Sequence, residues 1–577
     1  MRRHILRLAL GICVGLSACV TGPRPQSPIR LLTSPLDTAK ACAKWRWIGI
    51  RSPAADRCPD VPGWKVNPLF ASKAYGQAQE AYDQQGKPYD RQQILKGKQG
   101  PEKLSSSDAA IQELNRFCVY EIEDSNQKPE YLPPPPTRSD KLIRVDQDCA
   151  AISPNAGWDW SLWRANWKGV SKHFLSQAGR TRLEIHNLHG VRLAFLDTQP
   201  TKGDVPKEPG RSMHGYTLTH IARNLICSPE ASDRCAAQIT TRLALPIVHF
   251  DAGSQRLTQI DERREDEGGR GGYLGMPSDL AKAIKSEVGD WLEARQGPDS
   301  PQHLVLNLSV AWDGELLGGL NEAQIADMQA GTQAVYRALE YARSLDVLVL
   351  AAAGNQKKCL HQTDGPLLPA AWERGAVPAE SCGATPKPLV YAVGGVRSDG
   401  RPLTNARPRG TPRRVAYAEN AIVPTGDPIQ QRIYTGSSIA TAVASSIAAV
   451  VWDSFPHLNS DEVMKILDAS GDELTILDAS GNERPRLADF WFNTGALPIG
   501  APTVHRLSLC TALKAACDQS LSDPCPLQSA DACDPWIPRR MVFPAWAARP
   551  PLSRTCDPWL HPQPDDPPCP NPGCHSG

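Results

Sequence analysis

Four residues spread over the middle of this chain have types that could do chemistry together: Asp197, His214, Asn355 and Ser438. Ser438 has the most informative surroundings. The stretch Tyr434-Thr435-Gly436-Ser437-Ser438-Ile439-Ala440-Thr441-Ala442 runs straight into Val443 to Trp452, a run of small and apolar residues that makes sense only as a buried helix. Ser438 then stands at its N-terminus. A hydroxyl held there sits beside unpaired backbone N–H groups and the positive end of the helix dipole, which favour the negative charge that develops on acyl transfer. Read alone, the same serine is an N-cap on a core helix. Asp197 comes after a short apolar strand, His214-Gly215 opens a helical pattern, and Ala351-Ala352-Ala353-Gly354-Asn355 closes another strand. Singly these are a turn residue, a helix N-terminal residue and a turn.

The elements that must position them emerge from the pattern beyond about Glu184. Val191 to Leu196 is a short apolar strand closed by Asp197-Thr198, His214 to Ile226 a helix, Leu243 to Phe250 a strand and Pro277 to Leu292 a helix. His303 to Ser309 is a strand, Asn321 to Ser344 a long helix, Asp346 to Ala352 and Leu389 to Val396 strands, and a further helix lies beyond the serine from Ser460 to Leu467. Strands apolar throughout and separated by helices predict an α/β fold, a parallel sheet covered on both faces. Sites in such sheets lie at the carboxyl ends of strands, where Asp197 and Asn355 both fall.

At 577 residues the chain has room for two or three domains. With 63 basic and 62 acidic residues, and no basic patch interleaved with aromatics, nothing points to nucleic acid. Residues 1–18 combine a charged start, Met1-Arg2-Arg3-His4, with an apolar stretch from Ile5 to Gly15, too short for a permanent anchor. This signal peptide ends in Leu16-Ser17-Ala18-Cys19, which resembles the bacterial lipobox. The resemblance implies that Cys19 is lipidated as the first mature residue; the alternative is an ordinary secretory signal cleaved near Ala18. The expectation is a membrane-anchored lipoprotein of the bacterial cell envelope, facing periplasm or cell surface. Seventeen cysteines in an exported chain argue for disulfides. Setting aside Cys13 and Cys19 leaves an odd number, with Cys227/Cys235 and Cys359/Cys382 placed as local loop staples.

A tether over 19–40 precedes a small N-terminal region over 41–136. That region carries Cys42, Cys58 and Cys118, a helical pattern from Ala71 to Tyr82, and a second opening at Ser107 or Asp108 with Ile111, Leu114 and Phe117 at helical spacing. It ends in the polyproline run Pro133 to Pro136. A lead-in over 137–183 holds Trp158, Trp160, Trp163 and Trp167, an aromatic stripe read as packing. The main domain spans 184–490, and a Pro/Cys-rich tail occupies 491–577.

Taken in chain order, Asp197-Thr198, His214-Gly215, Gly354-Asn355 and Gly436-Ser437-Ser438-Ile439-Ala440 resemble the subtilisin-like serine proteases, over roughly residues 184 to 490. The resemblance implies that Ser438 is the nucleophile, His214 the general base, and Asp197 the carboxylate that orients the imidazole. It makes Asn355 a donor to the oxyanion together with the N–H of Ser438. Asn307-Leu308-Ser309-Val310-Ala311 resembles the family strand that pairs with substrate backbone, so Ser309, Val310, Ala311, Ala353 and Gly354 are expected to bind substrate. Pro369-Ala370, Ala392 to Val396 and Thr404-Asn405 extend the match. Departures surround the candidates: Gln199 after Asp197-Thr198, Tyr216 after His214-Gly215, Ser437 before Ser438, Ala442 four residues beyond it, and a short interval between Asp197 and His214. None removes a group needed for chemistry.

The implied activity is serine endopeptidase action on protein or peptide substrates through an acyl-enzyme. The alternative is a catalytically impaired subtilase that binds peptides as a scaffold, and a third reading gives the business end to the tail or the N-terminal region. No cofactor is expected. The family resemblance allows for calcium, but the mixed-charge segment Asp251 to Arg270 reads as a solvated loop, with no metal ligands assigned. Residues 41–124 are a candidate inhibitory propeptide, expected to stay attached.

Overall fold

The computed structural model describes residues 42–70, 106–122, 135, 139–149, 152–154, 157–158, 188–198, 214–227, 238–251, 256–259, 274–295, 300–314, 328–355, most of 365–424, 431–474 and 504–519. Cys19, the helix expected at 71–82, Trp160, Trp163, Trp167, Cys235, Cys359, Cys382 and the tail past 519 lie outside the described residues.

The N-terminal region consists of β1 (Cys42–Arg51), β2 (Trp64–Pro68), α1 (Ser106–Leu114), β3 (Phe117–Ile122) and β4 (Leu142–Cys149), its strands ordered β2-β3-β1-β4 and antiparallel. A disulfide between Cys58 and Cys118 fastens the loop before β2 to β3. Phe117 departs from its expected helical place: the helix stops at Leu114, and Phe117 opens β3 opposite Ile50. Phe-Cys-Val-Tyr is an aromatic and β-branched run that packs better on a pleated surface than along a helix. Two short strands come next, β5 (Ser153–Pro154) and β6 (Gly157–Trp158).

The main domain opens with β7 (Val191–Asp197), α2 (His214–Ile226), β8 (Gln238–Leu243), β9 (Ile247–Asp251), β10 (Arg256–Gln259) and α3 (Pro277–Ala294). It continues through β11 (His303–Leu308), β12 (Val310–Ala311), α4 (Ala330–Ser344) and β13 (Leu348–Ala352), then a 3-10 turn at Ala370–Arg374, β14 (Ala376–Val377) and β15 (Lys387–Pro388). The last part is β16 (Tyr391–Val396), β17 (Arg414–Tyr417), β18 (Ala421–Pro424), β19 (Gln431–Thr435), α5 (Ser437–Ser454), α6 (Ser460–Ser470), β20 (Asp472–Glu473), β21 (His505–Arg506) and α7 (Leu509–Gln519).

Eight strands form the central sheet in the order β20-β21-β17-β16-β13-β11-β7-β8, parallel from β21 to β8 with only β20 antiparallel. The mostly parallel sheet flanked by helices is the α/β architecture expected from the alternating pattern. Strands such as Leu348–Ala352 are buried along their whole length, because both faces are covered. On one face α5 is buried from Ser437 to Trp452. Its alanines and serines let the sheet approach closely on one side while α2, α6 and α7 cover the others, so it is buried all round, as a helix without a polar stripe must be.

Of the strand expected over Leu243 to Phe250, Leu243 closes β8, which begins at Gln238, and the rest forms β9 from Ile247. The break at Ala244-Leu245-Pro246 has a use for the backbone: the N–H groups of Ala244 and Leu245 both donate to the Asp197 carbonyl, at 2.7 and 3.2 Å. The long helix expected from Asn321 is described from Ala330, whose N–H is taken by the Asp146 carboxylate at 2.8 Å.

Candidate active site

Strands β13, β11 and β7 are adjacent and parallel, so the residues just past their carboxyl ends lie side by side. Those residues are Ala353-Gly354-Asn355, Ser309 and Thr198, with Asp197 closing β7. The topology alone brings together candidates drawn from three distant parts of the sequence.

Asp197, buried at the end of β7, accepts through Oδ1 from its neighbour Thr198 N–H at 2.7 Å and pairs with His214 Nδ1 at 2.7 Å. An ionised carboxylate only accepts, so Nδ1 carries the proton and Nε2 is the basic nitrogen of the ring. Thr198 also reaches across: its hydroxyl accepts the Gly215 N–H at 3.0 Å, fixing the first turn of α2 against the strand end. Because Thr198 and Gly215 are clasped in this way, the short interval between Asp197 and His214 closes and still places both side chains in contact.

Ser438 is fully buried in the first turn of α5, and α5 shares its apolar core with α2 through Ile439 and Val443 on one side and Leu218 and Ile221 on the other. Its hydroxyl donates to the Ser309 carbonyl at 3.2 Å. Asn355 lies beside the same helix start: its Oδ1 accepts the Ser437 N–H at 2.9 Å, which makes Nδ2 the donating end of the amide. Ser437, in the place of a departure from the family pattern, keeps a structural task, since its hydroxyl accepts the Gly354 N–H at 3.1 Å. Gly354 has φ +100°, and a Cβ there would come within 2.7 Å of Leu367. Only glycine fits both the left-handed turn and that approach.

Ser309, Val310 and Ala311 are buried, and the backbone of β12 is already paired. Val310 opposes Pro154 and Ala311 opposes Ser153, antiparallel. Ile152 bridges Gly275 in the same sense, with reciprocal N–H···O bonds of 3.1 and 3.0 Å. Just beyond, Gly157 and Trp158 of β6 pair antiparallel with Thr435 and Tyr434, the residues that lead into Ser438. The chain's own lead-in therefore lies along the expected substrate strand and along the approach to Ser438. The backbone of Trp158, one of the tryptophans of the expected packing stripe, takes part in this pairing. Nothing in the types of residues 153–154 and 157–158 announces it, because strand pairing carries no side-chain signature when it uses the backbone.

Among the described residues no group of three or more His, Cys, Asp or Glu side chains could hold a metal ion, and no helix is long and apolar enough to cross a membrane. Of the Asp251 to Arg270 segment, Asp251 and Arg256–Gln259 are described, in the hairpin of β9 and β10. Cys227, Cys510 and Cys517 are disulfide-bonded.

Residues 302–483 match the subtilase family of peptidases (Peptidase_S8). The matched stretch runs from β11 past β20 and holds Ser309, Asn355 and Ser438; Asp197 and His214 precede it. Solved structures similar to the chain include the prenylagaramide maturation protease PagA, at 15% identity, 61% of this chain, 99% of that one and a TM-score of 0.35. The serine protease MycP1, a component of the type VII (ESX-1) secretion system, is 14% identical over 63% of this chain and 92% of that one, with a TM-score of 0.35. A mutant of the protease domain of PatA is 19% identical over 60% of this chain and 99% of that one, with a TM-score of 0.32. No curated protein matches the chain.

Proposed function

We propose that the protein is a serine endopeptidase that cleaves protein or peptide substrates through an acyl-enzyme, with Ser438, His214 and Asp197 as its triad. The observation that carries this reading is the buried 2.7 Å contact between Asp197 and His214 Nδ1, on elements packed against the helix that begins at Ser437-Ser438. His214 Nε2 takes the Ser438 proton as Oγ attacks the scissile carbonyl and returns it to the leaving amine. Asp197 holds the tautomer and stabilises the imidazolium. Asn355 Nδ2 and the Ser438 N–H, at the positive end of α5, stabilise the oxyanion. β12 supplies the backbone edge for substrate, with Ala353 and Gly354 walling the pocket.

Because β5 pairs along that edge and β6 along β19, the strand that leads into Ser438, an extended peptide substrate competes with the chain's own lead-in for the same backbone. Residues 41–124 serve as an inhibitory segment that stays attached. The pairing also favours a second reading, a peptide-binding scaffold without turnover. An alkyl fluorophosphonate probe on the folded protein decides between them: labelling that vanishes in Ser438→Ala supports the peptidase, and labelling equal in both proteins sinks it.

The lipid anchor at Cys19 and the cell-envelope location belong to this proposal, supported by the lipobox-like Leu16 to Cys19. Incorporation of labelled fatty acid that persists in Cys19→Ser would refute the anchor. No cofactor is required by the proposed chemistry.

A further inference from the structure

Asn307 is a polar residue in a strand that is otherwise apolar after its first position, His303-Leu304-Val305-Leu306-Asn307-Leu308, and it is 1% exposed. It lies on the same face as Val305, which packs in the cluster that contains α5. A buried amide costs stability unless both its ends are hydrogen-bonded. Both are. Nδ2 donates to Ser445 Oγ at 3.0 Å, and Oδ1 accepts from Ser309 Oγ at 2.8 Å. Ser309 in turn holds Ser438: its carbonyl accepts the Ser438 hydroxyl at 3.2 Å, while its own hydroxyl, whose proton goes to Asn307, lies 3.2 Å from the Ser438 carbonyl oxygen.

Ser445 lies about two turns along α5 from Ser438, on the same side of the helix. One amide therefore ties the end of β11 to α5 at two levels, at Ser445 directly and at Ser438 through Ser309. Sliding or rotating the helix against the sheet breaks both ties. A leucine of similar size would satisfy this apolar surrounding without any polar requirement, so the amide is not needed merely to fill space.

We propose that Asn307 is a positioning residue for Ser438, fixing the depth and rotation of α5 so that the nucleophile rests on the Ser309 carbonyl, poised for His214. The proposal rests on the peptidase reading above. Residues that act through another show themselves in turnover rather than in substrate affinity, and a displacement of about 1 Å at a reacting group costs on the order of 10²-fold.

The test uses the full-length chain with Asn307→Leu, Ser445→Ala and the double variant, measuring peptide turnover, the fluorophosphonate labelling constant and thermal melting. The expected result is a fall of roughly tenfold to a hundredfold, on the order of the misplacement cost, in both kcat and labelling for Asn307→Leu. KM should stay within about twofold and Ser445→Ala should lose less. Combining the two, which removes both partners of one bond, should bring melting back toward the unmodified protein without restoring the rate. A rate that recovers along with the melting, or a kcat unchanged in both single variants, overturns the proposal. If Asn307→Leu does not fold, unchanged kcat in Ser445→Ala alone suffices to overturn it. Unmodified protein that does not label at Ser438 removes the peptidase reading and this one with it; labelling that is normal in the variants removes only this one.

Discussion

The two faces of the central sheet are covered by different means. On one, α5 is enclosed by small and apolar groups; around Ser438 and Ser445 its polar contacts are the short uncharged ones of Ser309, Asn307 and Asn355, and its carboxylate contact, Asp453 with the Gly190 N–H, lies at the far end. On the other, α3 and α4 lie under the N-terminal sheet, with Ile48, Ile50 and Phe117 packed against Leu280, Ile284 and Val335. Charged groups cross that second seam. Arg46 of β1 meets Asp279 of α3 at 3.0 Å, Glu121 at 2.9 Å and Asp148 at 3.8 Å. Asp146 caps α4 at Ala330, and Asp148 accepts from Ser278 at the start of α3. A neutral interior tolerates no rearrangement without exposing apolar area, whereas a seam held by buried charges is conditional on the state of those charges. The first face keeps the proposed chemistry in register; the second holds the N-terminal sheet through charges that pH can alter.

The contrast can be broken from either side. The largest effect is expected for Asp197→Asn, which leaves the shape but reverses the His214 tautomer and should lower kcat by about 10⁴-fold with the melting temperature nearly unchanged. Next is Arg46→Ala. It strands Asp279 and Asp148 at the seam and should weaken docking of the N-terminal sheet by about 3–5 kcal/mol, read as faster limited proteolysis between residues 123 and 158 while the main domain resists. Asn355→Ala should cost about 10²–10³ in kcat with little change in KM.

The smallest effect is a pH dependence confined to the seam. Burial pushes the Asp148 carboxyl up to about 7, against the opposing pull of Arg46. A carboxyl raised on docking favours the docked form while it is protonated, so docking is firmest below its ordinary range near pH 4. It weakens as pH rises toward and through 7. Proteolytic sensitivity of the seam should rise over that window and become flat in Asp148→Asn; an unchanged slope in the variant would show that another group is responsible.

The elements that carry the proposed chemistry were legible because burial on both faces imposes unbroken apolar strands, and because Ser438 precedes a helix with no polar stripe. Residues such as Leu348–Ala352 and Ser437–Trp452 can adopt little else. The N-terminal sheet was less so. Phe117 fits a helical spacing with Ile111 and Leu114, yet pairing with Ile50 outweighs it, an interaction between segments far apart in sequence. The turn at Ala244-Leu245 was hidden for a similar reason: its role is to hold the Asp197 carbonyl, a backbone contact that no side chain encodes. The pairing of residues 153–154 with β12 and of 157–158 with β19 belongs to the same class. Asn307, by contrast, was visible as an amide in an apolar strand, but its partners Ser309 and Ser445 could be joined to it only in three dimensions.

The most direct test of the proposed chemistry is covalent labelling of the full-length protein by a fluorophosphonate, with peptide mapping of the product. A single modified residue, Ser438, is expected, with labelling abolished by Ser438→Ala and strongly slowed by Asp197→Asn and by His214→Ala. Folded protein that takes up the probe at another serine, or labels at Ser438 equally well without His214, would contradict the triad.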